Sequence, residues 1–206
     1  MALLLDLWSA LLLGILYLTF QAFPIIFGKN HGFSEELSGL TFLGIGIGML
    51  IGLAIQPVFN RYGLLSSPRT IKLTINHRHL KQLAIENHGN APLEARLIPG
   101  KLGAILVPIS LYWLAFTTYP KVHWIVPIIA SIPFGAGVFF CFTAVFTYTV
   151  TAYRPIAASA MAANTFVRTS FAAAFPLFAG QMYDKLGTVG ATALLAGLTT
   201  IAAPLP

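Results

Sequence analysis

The chain has 206 residues, 57% of them hydrophobic and only 9% charged, and its mean hydropathy is +0.80. A soluble domain carries roughly 25% charged residues, so this composition excludes a soluble globular fold and places the chain among integral membrane proteins. The formal net charge of +6 sits mostly in one stretch between apolar runs, which favours a membrane-orientation signal over a nucleic-acid surface.

Six apolar runs follow in order, at 7–27, 38–59, 102–119, 124–151, 157–180 and 188–204. A helix crosses hydrocarbon in ~20 residues, so the pattern predicts an all-α membrane protein. It forms a single six-transmembrane-helix bundle over 1–206, with one long loop at 60–101. The opening "MALLLDLWSALLLGILYL" lacks the basic lead of a signal peptide and is expected to enter a retained span. The sixth run is short, and no charged anchor follows it before Pro206, so truncation is expected there.

In the first span Gln21 follows Tyr17 by one helical turn, and Pro24 comes next. Such a glutamine serves either as interhelical glue or as part of a site. The second span reads "LTFLGIGIGMLIGLAIQP", in which Gly44, Gly48 and Gly52 make two overlapping G-x-x-x-G units. Small residues on one face let a second helix approach, so helix packing is the favoured role over direct transport.

The 60–101 loop carries Arg61, Arg69, Lys72, Arg78, Lys81, Arg96 and Lys101, and Arg154 lies on the same side. Lys29, Lys121 and Lys185 lie opposite, so the loop is expected in the cytosol with both termini. Its "HRHLKQLAIENHG" stretch fits a short amphipathic surface helix. His77, His79 and His88 have no cysteine or carboxylate cluster beside them, so a solvated basic loop is favoured over a metal site. Neither a metal nor a cofactor is expected.

The fourth span holds Pro127, Pro133, Gly135 and Gly137 in its first half, residues that permit bending. Its second half sets Thr143, Thr147 and Thr151 on one helical stripe, surrounded by Phe139, Phe140, Phe142, Phe146 and Tyr148. The threonines are expected to face protein or water, and most of the aromatics to serve packing. Cys141, the one cysteine, reads as a free buried thiol.

The fifth span contains Arg168 in "MAANTFVRTSFAAAF", with Asn164 and Thr165 completing a polar face. Counted from Ala157, Arg168 lies eleven residues in, or ~16 Å, close to the midplane of a ~30 Å core. An arginine at that depth costs between ~2.5 and ~17 kcal/mol and needs a partner or water. Asp6, Glu35, Glu36, Glu86, Glu94 and Asp184 fall in loops or at span ends, so no carboxylate is expected within the spans. That leaves a carbonyl, a water-filled cavity, a bound anion or an acid from elsewhere. The alanine-rich remainder gains little from lipid, which places this helix inside a bundle. A membrane enzyme would need a His, Cys or acid cluster at one depth, and none is present in the spans.

The stretches "GILYLTFQAFPIIFG", "GLTFLGIGIGMLIGLAIQPVFNR", "EARL", "HWIVPIIASIPFGAGVFFCFTAVFTY" and "AYRPIAASAMAANTFVRTSFAAAFPLFAGQMYDKLGTVGATALL" resemble the carboxyl-terminal half of fungal major facilitator superfamily (MFS) transporters of the multidrug/proton antiporter branch. The resemblance weakens at "YGLLSSPRTIKLTINHR", around 62–78, which looks inserted. It implies one half of a twelve-helix transporter with an internal 3+3 repeat. It also implies alternating access to a small-molecule substrate, a plasma-membrane location and an amino-terminal six-helix half as partner in the bilayer. Tyr17, Gln21, Thr143, Thr147, Asn164 and Arg168 would line the cavity from this half. In the family it resembles, many members carry an acid where this chain has Gln21 and another at Thr151 while others match this chain at both, and the loop motif at Asn60-Arg61 lacks its acid. Coupling protons would then fall to the other half. The competing expectation is a fragment that transports nothing alone and acts only by assembly with a partner half.

Overall fold

A computed structural model describes residues 2–61, 97–119 and 121–204. The basic loop's 62–96 stretch, with the expected surface helix, the three histidines and the apparent insertion, lies outside the described residues. The helices are α1 (Ala2–His31), α2 (Glu35–Leu40), α3 (Leu43–Arg61), α4 (Ile98–Thr117), α5 (Ile125–Ala152) and α6 (Ala157–Ala202). Among the described residues, five segments are long and apolar enough to cross a membrane, with α2 and α3 counted together.

Four boundaries differ from the sequence pattern. α1 begins at Ala2, before the apolar run opens at Leu7, because Asp6 is accommodated inside the helix rather than ahead of it. The second span is not continuous: Ser34 caps α2 by accepting from the Leu37 N–H, and the chain turns at Thr41 before α3 begins. The Thr41 hydroxyl and backbone N–H both donate to the Ser38 carbonyl, at 2.6 and 3.2 Å. α4 starts at Ile98, with Pro99 in its first turn, where a proline's missing N–H costs no hydrogen bond. Helix therefore occupies both ends of the expected 60–101 loop.

The fourth difference concerns the last two spans. They form one 46-residue helical run, broken only at Gly187, whose φ of 71° and ψ of 171° lie outside the helical region. A straight helix of that length would reach ~69 Å, over twice the hydrocarbon thickness. Glycine adopts the positive φ without a Cβ penalty and divides the run into arms at 157–186 and 188–202. The second arm buries Ala191, Leu195, Thr199 and Ala202 on one face, and its Gly197 lies against the Tyr112 hydroxyl of α4.

Interhelical contacts give the directions. Asp6 meets Asn164, and Gly14 faces Phe175, so α1 and the first arm of α6 run parallel. Gly44 faces Ile128 and Gly52 faces Phe139, so α3 and α5 also run parallel. Gly103 meets Cys141 while Val107 meets Gly137, which makes α4 and α5 an antiparallel hairpin. The main seams are α4–α5, α1–α6, α3–α5 and α4–α6. Trp8, Phe23, Phe27, Leu111, Leu114, Phe134 and Leu195 fill the shared core.

Candidate functional site

The site is built from the cytoplasm-expected half of α5 and the first arm of α6. Arg168 is half-buried, and its guanidinium lies across α5. Its central carbon is 4.8 Å from the Phe146 ring centre and 5.4 Å from that of Phe142. Those two rings are one helical turn apart and stack on each other at 6.0 Å with planes 10° from parallel. Arginine's flat, delocalised cation suits such a surface. The sequence had assigned most of these aromatics to packing; the structure places two of them under the charge.

Cation–π contact is worth ~0.5 to ~2 kcal/mol per ring, against at least ~2.5 kcal/mol for holding the arginine at this depth. Two rings supply ~1 to ~4 kcal/mol together, which meets the lower bound of that cost but falls well short of its ~17 kcal/mol upper bound. Nε is buried without a hydrogen-bond partner. Among the described residues, no ion pair or hydrogen bond reaches the guanidinium.

Thr143 and Thr147 lie on the same stretch of α5 as the two rings and are half-buried. Thr151 completes the stripe by donating to the Thr147 carbonyl at 2.7 Å, a bond within its own helix.

The sequence grouped Asn164 with Arg168 on one polar face. Asn164 is fully buried against α1, where its Nδ2 donates to Asp6 Oδ1 at 2.7 Å and to Ser9 Oγ at 3.0 Å. Ser9 in turn donates to the Asp6 carbonyl at 2.9 Å. This pin draws in a carboxylate from a span end: Asp6 is the fourth residue of the Leu3–Gly28 segment. Its carboxylate engages the helix that carries Arg168. The physical reason is angular. Residues four apart on a helix are ~40° apart around its axis, enough to aim Asn164 at α1 and Arg168 at α5.

Tyr17 and Gln21 are exposed on an outward stripe of α1 with Phe20 and Pro24. Tyr17 meets Phe20 edge-on at 5.9 Å. Among the described residues, no hydrogen bond or ring contact joins Tyr17 or Gln21 to Arg168.

Gly44, Gly48 and Gly52 all face α5. A Cβ on Gly48 would collide with the Ile132 carbonyl oxygen, one on Gly44 with the Ser131 hydroxyl, and one on Gly52 would fall 2.9 Å from the Phe139 ring. Asp6, Ser9, Phe142 and Phe146 are the residues that sequence reasoning missed. The polar pair Asp6 and Ser9, three apart on an apolar helix, was the available signal.

No protein-family model and no solved structure matches the chain. Curated proteins do. The chain is 48% identical over its whole length to the efflux pump atB of Aspergillus terreus, covering 41% of that protein. It is 41% identical over 97% of its length to the probable drug/proton antiporter YHK8 of Saccharomyces cerevisiae, covering 35%. It is 37% identical over 98% of its length to the major facilitator superfamily multidrug transporter mdrA of Aspergillus fumigatus, covering 31%. These relatives are transporters, not enzymes. With its apolar helices, the similarity makes this a multi-pass integral membrane protein. The chain is thus similar, through 97–100% of its length, to fungal efflux pumps and drug/proton antiporters that include a major facilitator superfamily transporter, and it spans 31–41% of the length of these relatives.

Proposed function

We propose that the chain is the carboxyl-terminal half of a twelve-helix transporter that exports a drug-like molecule or metabolite from the cell by alternating access. The supporting observation is that similarity to efflux pumps runs through 97–100% of this chain but only 31–41% of each pump. An amino-terminal six-helix half is the natural complement, with the substrate between the two. In this reading the 1–206 chain acts as one bundle in the plasma membrane, with both termini and the basic loop in the cytosol.

Arg168, Thr143 and Thr147 contribute from α6 and α5, and Tyr17 and Gln21 from the exposed stripe of α1. Gly44, Gly48 and Gly52 hold α3 against α5. Asn164 acts as a structural pin rather than a lining residue. Export is proton-coupled through acids of the other half. Within the described spans the Asp6 carboxylate is engaged by Asn164, and the polar positions Gln21 and Thr151 carry no acid.

The second reading is a segment that transports nothing alone and functions only on assembly; the same length difference favours it. One experiment tests both the transport reading and the need for a partner. The chain is expressed in yeast alone and with a six-helix amino-terminal half from a relative, and efflux of a fluorescent drug is followed. Efflux only with the companion supports a half-transporter. Efflux by the chain alone overturns the need for a partner. No efflux from either, with both halves inserted and associated, overturns the transport reading.

A further inference from the structure

We propose that Arg168, Phe142 and Phe146 form a binding seat for an organic anion that carries an aromatic ring, a carboxylate being the best-fitting group. The proposal deepens the transport reading and rests on it only in assuming that this face is open to a substrate.

Three observations carry it. First, the guanidinium is backed by a stacked ring pair at 4.8 and 5.4 Å, its Nε is buried without a partner, and no hydrogen bond or ion pair among the described residues reaches it. Second, the Asp6 carboxylate that meets α6 one turn earlier accepts from Asn164 at 2.7 Å, and among the described residues it makes no ion pair with the arginine. Third, Arg168, Phe142 and Phe146 are all only half-buried, so the cluster is not sealed inside this bundle.

The chemistry then discriminates among ligands. A cation is repelled. A neutral ligand leaves the charge unmet. A carboxylate accepts two parallel N–H bonds from the guanidinium fork. An attached ring meets the edges of Phe142 and Phe146, beside the faces that the guanidinium covers. The hydroxyls of Thr143 and Thr147, on the same stretch of α5, supply further polar contacts at the rim.

The test is equilibrium binding of radiolabelled benzoate to the chain in lipid nanodiscs at neutral pH, with benzamide as the neutral isostere and acetate as the ring-free anion. Saturable benzoate binding is expected, with benzamide and acetate competing at least tenfold less well. Arg168→Gln is expected to lower benzoate affinity at least tenfold, and Arg168→Lys by less. Phe146→Leu is expected to lower benzoate affinity severalfold while leaving acetate unchanged. Size-exclusion profiles confirm that each variant is folded.

Absence of saturable benzoate binding to the folded chain overturns the proposal, as does equal binding by Arg168→Gln or equal competition by benzamide. A carboxylate side chain of the companion half is the other possible anion. It predicts no benzoate site and weaker association of the halves on Arg168→Gln, which would likewise overturn the proposal. If efflux of a neutral drug persists while benzoate does not bind, the anion seat falls and the transport reading stands.

Discussion

α3 and the first arm of α6 both expose a full helix side, and the two sides differ in kind. α3 presents Leu43, Ile47, Leu50 and Leu53, with Leu50 65% exposed. α6 presents Ser159, Ala162, Ala163, Thr169, Ser170 and Ala173, with Phe166 and Leu177 as large exceptions. Long aliphatic chains are at home among lipid tails. Small and hydroxylated side chains gain little there and instead let a helix or water come close. Equal exposure therefore implies different neighbours: lipid beside α3, protein or a cavity beside α6. Arg168 belongs to the helix whose surface is unsuited to lipid, as an intramembrane charge requires.

The largest effect is expected on the inner side of α3, where its lipid-tolerant outer face gives way to a tight seam. Gly48→Leu drives a side chain into the Ile132 carbonyl. It should destabilise the bundle by about 3 kcal/mol or more, read as loss of the monodisperse peak after a heat challenge in detergent. Next comes the contrast itself. Ala163→Trp on the α6 face should reduce association with an amino-terminal half at least tenfold in a pull-down, while Leu50→Trp on α3 should change it less than twofold. Similar losses from both would erase the distinction.

Asn164→Leu removes the α1–α6 pin and leaves the Asp6 carboxylate without its donor. A cost of ~1–3 kcal/mol is expected, measured as a lower melting temperature, with Ser9→Ala costing less. The smallest change is Leu50→Ala, which should stay within ~0.5 kcal/mol because the side chain meets only lipid.

These expectations also mark what the sequence made legible. A glycine every four residues reads directly as a seam, because close backbone approach requires the missing Cβ at each turn. Arg168 stood out because a charge in an alanine-rich run has few explanations. Its ring partners did not, because Phe142 and Phe146 lie over twenty residues away and only packing decides which helix they meet. Asn164 was grouped with Arg168 by periodicity alone, yet ~40° of rotation sends it to a different neighbour. Asp6 was assigned to the lead-in because the apolar run opens after it; a buried amide on another helix draws it into α1. The break at Gly187 was visible as charges at Asp184 and Lys185, but the sequence did not indicate that one positive-φ residue would carry the whole turn.

The most direct measurement of the central claim is cysteine accessibility at matched depth in cells that also express the companion half. Cys141 is fully buried and should remain silent, so the native chain is the blank. Thr169→Cys, beside Arg168, and Leu50→Cys, near the middle of α3, are each treated with a membrane-impermeant maleimide while the transporter cycles. The account predicts labelling at 169, slowed by bound substrate, and none at 50. Equal labelling of the two positions, or labelling at 50 alone, would contradict it.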